Sequence, residues 1–195
     1  MIDRYARPAM RSIWSDAHRL EVWLEVELGV SETRERRGEI PQGTVAGLRS
    51  RIRLDPVRMA AIEAEVRHDV IAFLSMVAET GGDDARHLHA GLTSSDLVDT
   101  ALARVLGEAV ALLVTGIARL EDAARSLAER HRRTPMVGRT HGVHAEPITF
   151  GLKCLLWSLA TARARRRIES AARECAVGKL SGAVGTLAHL DPGIE

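Results

Sequence analysis

Lysine is almost missing from this chain: two of its 27 basic side chains are Lys and the rest Arg. That skew speaks more of coding bias than of chemistry, although Arg does favour bidentate contacts to carboxylate and phosphate. Net charge is equally scarce. With 27 basic against 26 acidic groups the formal charge is +1, so no global positive field exists to hold a nucleic acid or an acidic membrane face. Neither partner is expected. Aromatic residues make up 3% of the 195 positions, and cysteine is limited to Cys154 and Cys175. Those two fall on one predicted helix, roughly 30 Å apart at helical rise, so they cannot bridge. Free thiols fit a reducing cytoplasm. The start, Met1-Ile2-Asp3-Arg4, lacks the apolar stretch of an export signal. The longest near-continuous apolar run, Ala109 to Ala118, is half of the ~20 residues a membrane span needs. No membrane segment is expected.

What is present is helical period, almost everywhere, with 46% apolar and 27% charged residues. Nowhere do β-branched residues alternate, so an all-α fold is expected. A first helix is predicted from Asp16 to Arg37, with Leu20, Trp23, Leu24 and Leu28 on one face and Gly38 and Pro41 as stops. Asp55-Pro56 opens a helix through Glu65, a third runs from about Asp69 to Gly81-Gly82, and a loop follows from Asp83 to Thr93. Beyond it, no proline interrupts Asp96 to Arg132. Val98, Leu102, Val105, Ala109, Leu112, Gly116, Leu120, Ala123 and Leu127 recur there at steps of three and four. A second long helix is predicted from Pro147 to Cys175, after a break at Thr134 to Glu146. The expected organisation is therefore a small N-terminal helical domain, 1–93, followed by the first long helices of a bundle, 94–195. Leu106, Leu113 and Ile117 stand off the seam, so partner helices are expected from other subunits, unless the N-terminal helices cover them.

Three connecting segments carry more polar chemistry than helix ends require. In Arg67-His68-Asp69 the plainest reading is an N-cap Asp69 after two solvated side chains. In His87 to Asp96, four successive groups, Thr93, Ser94, Ser95 and Asp96, face one helix N-terminus where a cap needs one, which favours an anion. In Met136 to Pro147, His141, His144, Arg139 and Glu146 share a segment between long helices. A metal set of His141, His144 and Glu146, with His87 or His89, lacks the one-face spacing such sites use, and neither Cys is placed as a ligand. A histidine moving a proton near neutral pH is the better reading. The segment Gly178-Lys179-Leu180-Ser181 lacks the order and the preceding strand of a phosphate loop. Arg163 to Arg167 is a basic run without interleaved aromatics, as solvated helix faces are.

These segments, in this order, resemble the fumarase/aspartase superfamily and, within it, the adenylosuccinate lyase family. The resemblance rests on Ile2-Asp3-Arg4-Tyr5 with Arg7-Pro8, Arg67-His68-Asp69-Val70, Gly91 to Asp96, Gly138 to Pro147, and Gly178-Lys179 with Ser181 to Thr186. Argininosuccinate lyase shares the general Thr-Ser and Thr-His regions, whereas Arg4-Tyr5 and Arg67-His68-Asp69 resemble the purine enzymes. The resemblance implies reversible β-elimination of fumarate from adenylosuccinate and from the succinyl-carboxamide ribotide, without metal or other cofactor. It implies His141 as general acid, with His68 as the second candidate for that role. Thr93, Ser94 and Thr140 would hold the succinyl carboxylates and Arg4 and Tyr5 the phosphate end. Arg67, His68 and Asp69 would orient the nucleotide, with His89 as a further contact. It also implies a cytoplasmic homotetramer whose sites are shared between subunits. One departure stands out: the family's serine base, in a Ser-Ser-x-Met-Pro-x-Lys-x-Asn segment, has no counterpart in these 195 residues. The expectation is therefore the N-terminal portion of such an enzyme, with elimination absent or weak in isolation. The alternatives are a non-catalytic helical assembly module or another lyase of the superfamily, such as argininosuccinate lyase.

Overall fold

The computed structural model describes residues 2–194. Among these residues seven α-helices and one hairpin follow in chain order: α1 Pro8–Ile13, α2 Asp16–Arg36, α3 Thr44–Arg51, α4 Pro56–Val66, α5 Asp69–Gly81, α6 Ser94–Arg130, β1 Pro135–Thr140, β2 Val143–Thr149 and α7 Phe150–Cys175. Three of the helix starts have a plain chemical reason. The Asp55 carboxylate accepts the N–H groups of Val57 and Arg58, with Pro56 opening α4 behind it. Ser15 accepts the His18 N–H at the start of α2. At α5 the capping residue is His68, whose Nδ1 accepts the Ile71 N–H at 3.4 Å. Asp69, expected as the cap, is instead the first helical residue and accepts the neighbouring Val70 N–H. The reason is Arg67, which ends α4 in the left-handed conformation and turns the chain one residue earlier. Helices α1 and α3 are too short to stand out by period.

The contacts divide the chain into two compact units. The first takes the described residues up to Leu106 together with those from Ala176 onward. Its core gathers Leu20, Leu28, Leu48, Val70, Phe73 and Leu97, all fully buried, and Trp23 meets Phe73 edge to face at 5.4 Å. A smaller cluster joins Val30 of α2 to Leu190 and Ile194, which fastens the C-terminal segment to this unit.

The second unit is Gly107–Cys175. Here the expected break between the long helices is a β-hairpin, in which Met136 pairs with Ile148, Val137 with Pro147, and Thr140 with Val143. Period failed to announce it because Pro135, Gly138, Gly142 and Pro147 interrupt any alternation. A two-stranded ribbon consists only of edges, where proline costs no ladder bond. The second long helix consequently starts at Phe150 rather than Pro147. It packs on α6 through small residues. A Cβ at Gly151 would lie 2.6 Å from both the Ala128 carbonyl oxygen and the Arg132 Cα, and Ser158 donates to the Glu121 carbonyl. Gly151→Ala should therefore destabilise this unit by about 1–3 kcal/mol, since backbone must move to admit the methyl. Thermal unfolding followed by circular dichroism checks this, and an unchanged Tm would refute the packing.

Helix α6 is one uninterrupted rod of 37 residues. Of its expected seam, Val105 and Ala109 are buried, but Leu112 and Leu120 are 36% and 60% exposed, and Ala124 and Ala128 are the buried positions further along. A period of 3.6 drifts off a strict three-four alternation over so many turns. By length and composition α6 could also cross a membrane, with a mean hydropathy of 1.8 over 18 residues. That stretch outruns the apolar run of the sequence reading because it tolerates Arg104 and Glu108, four residues apart on one helix face. It is 17% buried here.

Candidate functional site

Asp96 organises the polar chemistry of the first unit. Its carboxylate is fully buried and takes the Lys179 ammonium on Oδ1 at 2.6 Å. The Ser181 N–H also donates to Oδ1, and the Thr93 and Gly182 N–H groups donate to Oδ2, at 3.0 to 3.1 Å. Burial by itself raises the pKa of this carboxyl. The Lys179 ammonium and the three backbone donors outweigh it and hold the group below the ordinary aspartate value. The bond from the Thr93 N–H back to Asp96, three residues on, is half of a capping box. Asp96 thus does two things at once: it caps α6 and clasps residues 179–182 against that cap.

Lys179 completes the clasp. Its ammonium also donates to Ser95 Oγ at 3.0 Å, while its backbone N–H donates to, and its carbonyl accepts from, the Thr100 hydroxyl. Ser95 is thereby engaged within the fold. Thr93 and Ser94 lie beside it, half-buried at the N-terminus of α6, and among the described residues their hydroxyls take no hydrogen bond.

The remaining candidates fall into separate groups. Arg4 donates to the Tyr5 hydroxyl at 2.9 Å and lies over its ring, and Tyr5 is 73% exposed. Arg67 and His68 are exposed at the α4–α5 junction. There Nδ1 of His68 lies 3.5 Å from the Asp69 carboxylate and also accepts the Ile71 N–H. One nitrogen cannot accept and donate at once, so capping requires the unprotonated Nδ1 and pairing with Asp69 the protonated one. His89 is held by a buried glutamate, Glu27, through ring Nδ1 at 2.6 Å and through its backbone N–H at 2.7 Å.

In the second unit, Thr140 and His141 sit at the hairpin's end. Thr140 pairs with Val143 across a two-residue turn made of His141 and Gly142, both at positive φ, 50° and 77°. The turn leaves His141 exposed. Positive φ at both central residues is what a two-residue hairpin turn of this kind requires, and His, with Asn and Asp, is among the non-glycine residues that adopt it more readily.

Sequence reasoning missed two participants. In the sequence Lys179 stands in a segment that lacks phosphate-loop order and that carries part of the family resemblance, and its role depends on Asp96, 83 residues away. Glu27 had one visible signal: an acid on the buried face of α2, in register with Leu20, Trp23 and Leu28.

The chain belongs to the lyase family, whose model matches residues 4–195. It is 50% identical over 195 residues to the adenylosuccinate lyase of Synechocystis and 45% identical to that of Bacillus subtilis, in each case across this whole chain and 45% of the relative. Among solved structures, a fumarate lyase from Mesorhizobium matches with a TM-score of 0.88 at 30% identity, over 95% of this chain and 45% of that one. A 3-carboxy-cis,cis-muconate lactonizing enzyme from Pseudomonas putida matches with a TM-score of 0.86 at 30% identity, over 95% and 44%. The chain thus spans about 45% of the length of these relatives.

Proposed function

We propose that this chain supplies part of a carbon–nitrogen lyase that eliminates fumarate from adenylosuccinate and from the succinyl-carboxamide ribotide. The observation that carries this reading is 50% identity sustained over all 195 residues with a protein named adenylosuccinate lyase. In the reaction a proton leaves the carbon β to the nitrogen, negative charge spreads onto the adjacent carboxylate, and the carbon–nitrogen bond breaks as the leaving nitrogen is protonated.

In this reading His141 protonates the leaving nitrogen, and its place on a tight turn restricts the angle of approach. Thr93, Ser94 and Thr140 hold the succinyl carboxylates. The N-terminus of α6 favours negative charge there, and the Asp96–Lys179 clasp keeps the loop in one shape. Arg4 and Tyr5 reach the phosphate end, His68 with Arg67 and Asp69 orients the nucleotide, and His89 adds a contact. The base comes from a serine loop outside these 195 residues. The division at 93/94 is set at the start of α6, between an N-terminal helical domain and the bundle, although the first turns of α6 and the residues from Ala176 onward pack with the N-terminal helices. Leu112, Leu113, Leu156 and Trp157, all at least 36% exposed, are the faces that a second copy covers in a cytoplasmic homotetramer. A second reading, a non-catalytic assembly module, is favoured by the exposed apolar residues that α6 and α7 present, among them Leu113 and Trp157.

Fumarate release from adenylosuccinate separates the two, measured with the chain alone and after mixing with a separately expressed C-terminal lyase segment. Silence alone and activity on mixing are expected. Activity of the chain alone would show that a residue within it replaces the serine base, and silence in both would leave the assembly module.

A further inference from the structure

Glu27 is a carboxylate where the pattern of α2 calls for an apolar side chain. It has no exposure, and Leu20, Trp23 and Leu28 on the same helix are buried with it. A buried ionised carboxylate costs several kcal/mol unless its oxygens are matched. Both are matched by one residue. The His89 backbone N–H donates to Oε2 at 2.7 Å, and ring Nδ1 lies 2.6 Å from Oε1. A carboxylate in its ionised form only accepts, which would place the proton between them on Nδ1.

Two further facts give this grip a purpose. His89 is held at φ 58°, a left-handed conformation that is uncommon outside glycine and that His adopts more readily than most residues. A carboxylate fixing backbone and ring together keeps it there. Two turns further along α2, Arg34 donates to the Ala90 carbonyl at 3.3 Å, so one helix anchors this corner at consecutive residues. The corner leads directly into Thr93 and Ser94. With Nδ1 engaged inward, the opposite ring nitrogen, Nε2, is what the 17%-exposed His89 side chain retains for a ligand.

We infer that Glu27 is a positioning residue: it fixes the ring orientation and the Nδ1-protonated state of His89, and through His89 the affinity of the 89–96 loop for an anion. This rests on the reading of that loop as an anion site. In the 195-residue chain labelled with ¹⁵N-histidine, the ring nitrogen shifts of His89 report which nitrogen carries the proton, and titration with inorganic phosphate reports affinity. The wild type is expected to show a protonated Nδ1. Glu27→Gln, which keeps the shape and removes the charge, is expected to move population to the Nε2–H tautomer and to weaken phosphate binding about tenfold. A wild-type His89 protonated on Nε2 alone would overturn the inference without need of the variant, so a variant that folds poorly does not shield it. A folded Glu27→Gln chain with wild-type His89 signals and wild-type phosphate affinity would overturn it too. A wild type that shows the Nδ1 proton and binds no phosphate would refute the anion site while supporting Glu27 as the residue that positions His89.

Discussion

His141→Ala should lower the turnover of the complemented enzyme by about 10²–10⁴-fold, the usual contribution of a positioned proton donor, with little change in KM. The argument joins chemistry to backbone. The leaving nitrogen cannot depart as an anion at neutral pH, so an acid must meet it, and an imidazole titrates in the right range. The two-residue turn at His141-Gly142 holds the ring on the hairpin's end at positive φ, where its bearing is set by the strands. Loss confined to kcat is the signature of an interaction made in the transition state, whereas a rise in KM with kcat unchanged would assign His141 to binding. Fumarate release under saturating substrate measures it. Wild-type turnover would remove His141 from the chemistry and leave His68 as the acid. Gly142→Ala provides a check on positioning, because it disturbs the turn without touching the imidazole.

The second large effect is on stability. Asp96→Ala should destabilise the first unit by about 3–5 kcal/mol, the cost of leaving a cation and three backbone donors without their common acceptor. Partial exposure of the Lys179 side chain, 38%, lets water reach the cation and favours the lower end of that range. The clasp also has a pH signature. A carboxyl whose folded pKa is below its unfolded value contributes stability that is fully present above the unfolded pKa, about 3.9, and is lost as pH falls through the folded value. Urea unfolding between pH 7 and pH 3 should show the wild type losing stability in the acid range, with that part of the slope removed in Asp96→Asn. A variant within about 0.5 kcal/mol of wild type at pH 7 would mean that the four contacts contribute no more than ordinary surface groups.

How much of this was open to sequence reading varies with the range of the interaction concerned. Five helices show themselves by period and punctuation: α2 and α4 within a residue or so of their ends, α5 closely, α6 as an unbroken rod beginning two residues before its expected start, and α7 ending at its expected Cys175 but starting three residues late. Those features are local, since a cap or a stop acts over one turn. The hairpin was illegible for the opposite reason. Its strands are held by pairing with each other across a turn, and their prolines and glycines, which read as loop, are tolerated on edges. The α6 seam was half legible: periodicity gave its apolar stripe, but which residues of that stripe are covered depends on what packs there, and Leu120 remains exposed while Ala124 is buried.

The candidate residues divide in the same way. Sequence by itself determined the helical class, the family and the segments that carry polar chemistry, because residue type and order along the chain suffice to state them. Only the tertiary structure decided that Asp96 is a clasp as well as a cap, that Lys179 belongs to it, that His68 rather than Asp69 caps α5, and that Glu27 holds His89. Each of these joins groups whose partnership depends on how the chain turns: Asp96 and Lys179 lie 83 residues apart and Glu27 and His89 lie 62 apart. A buried charge is affordable only where the fold delivers its partner, and the position of that partner is fixed by packing rather than by neighbours in sequence.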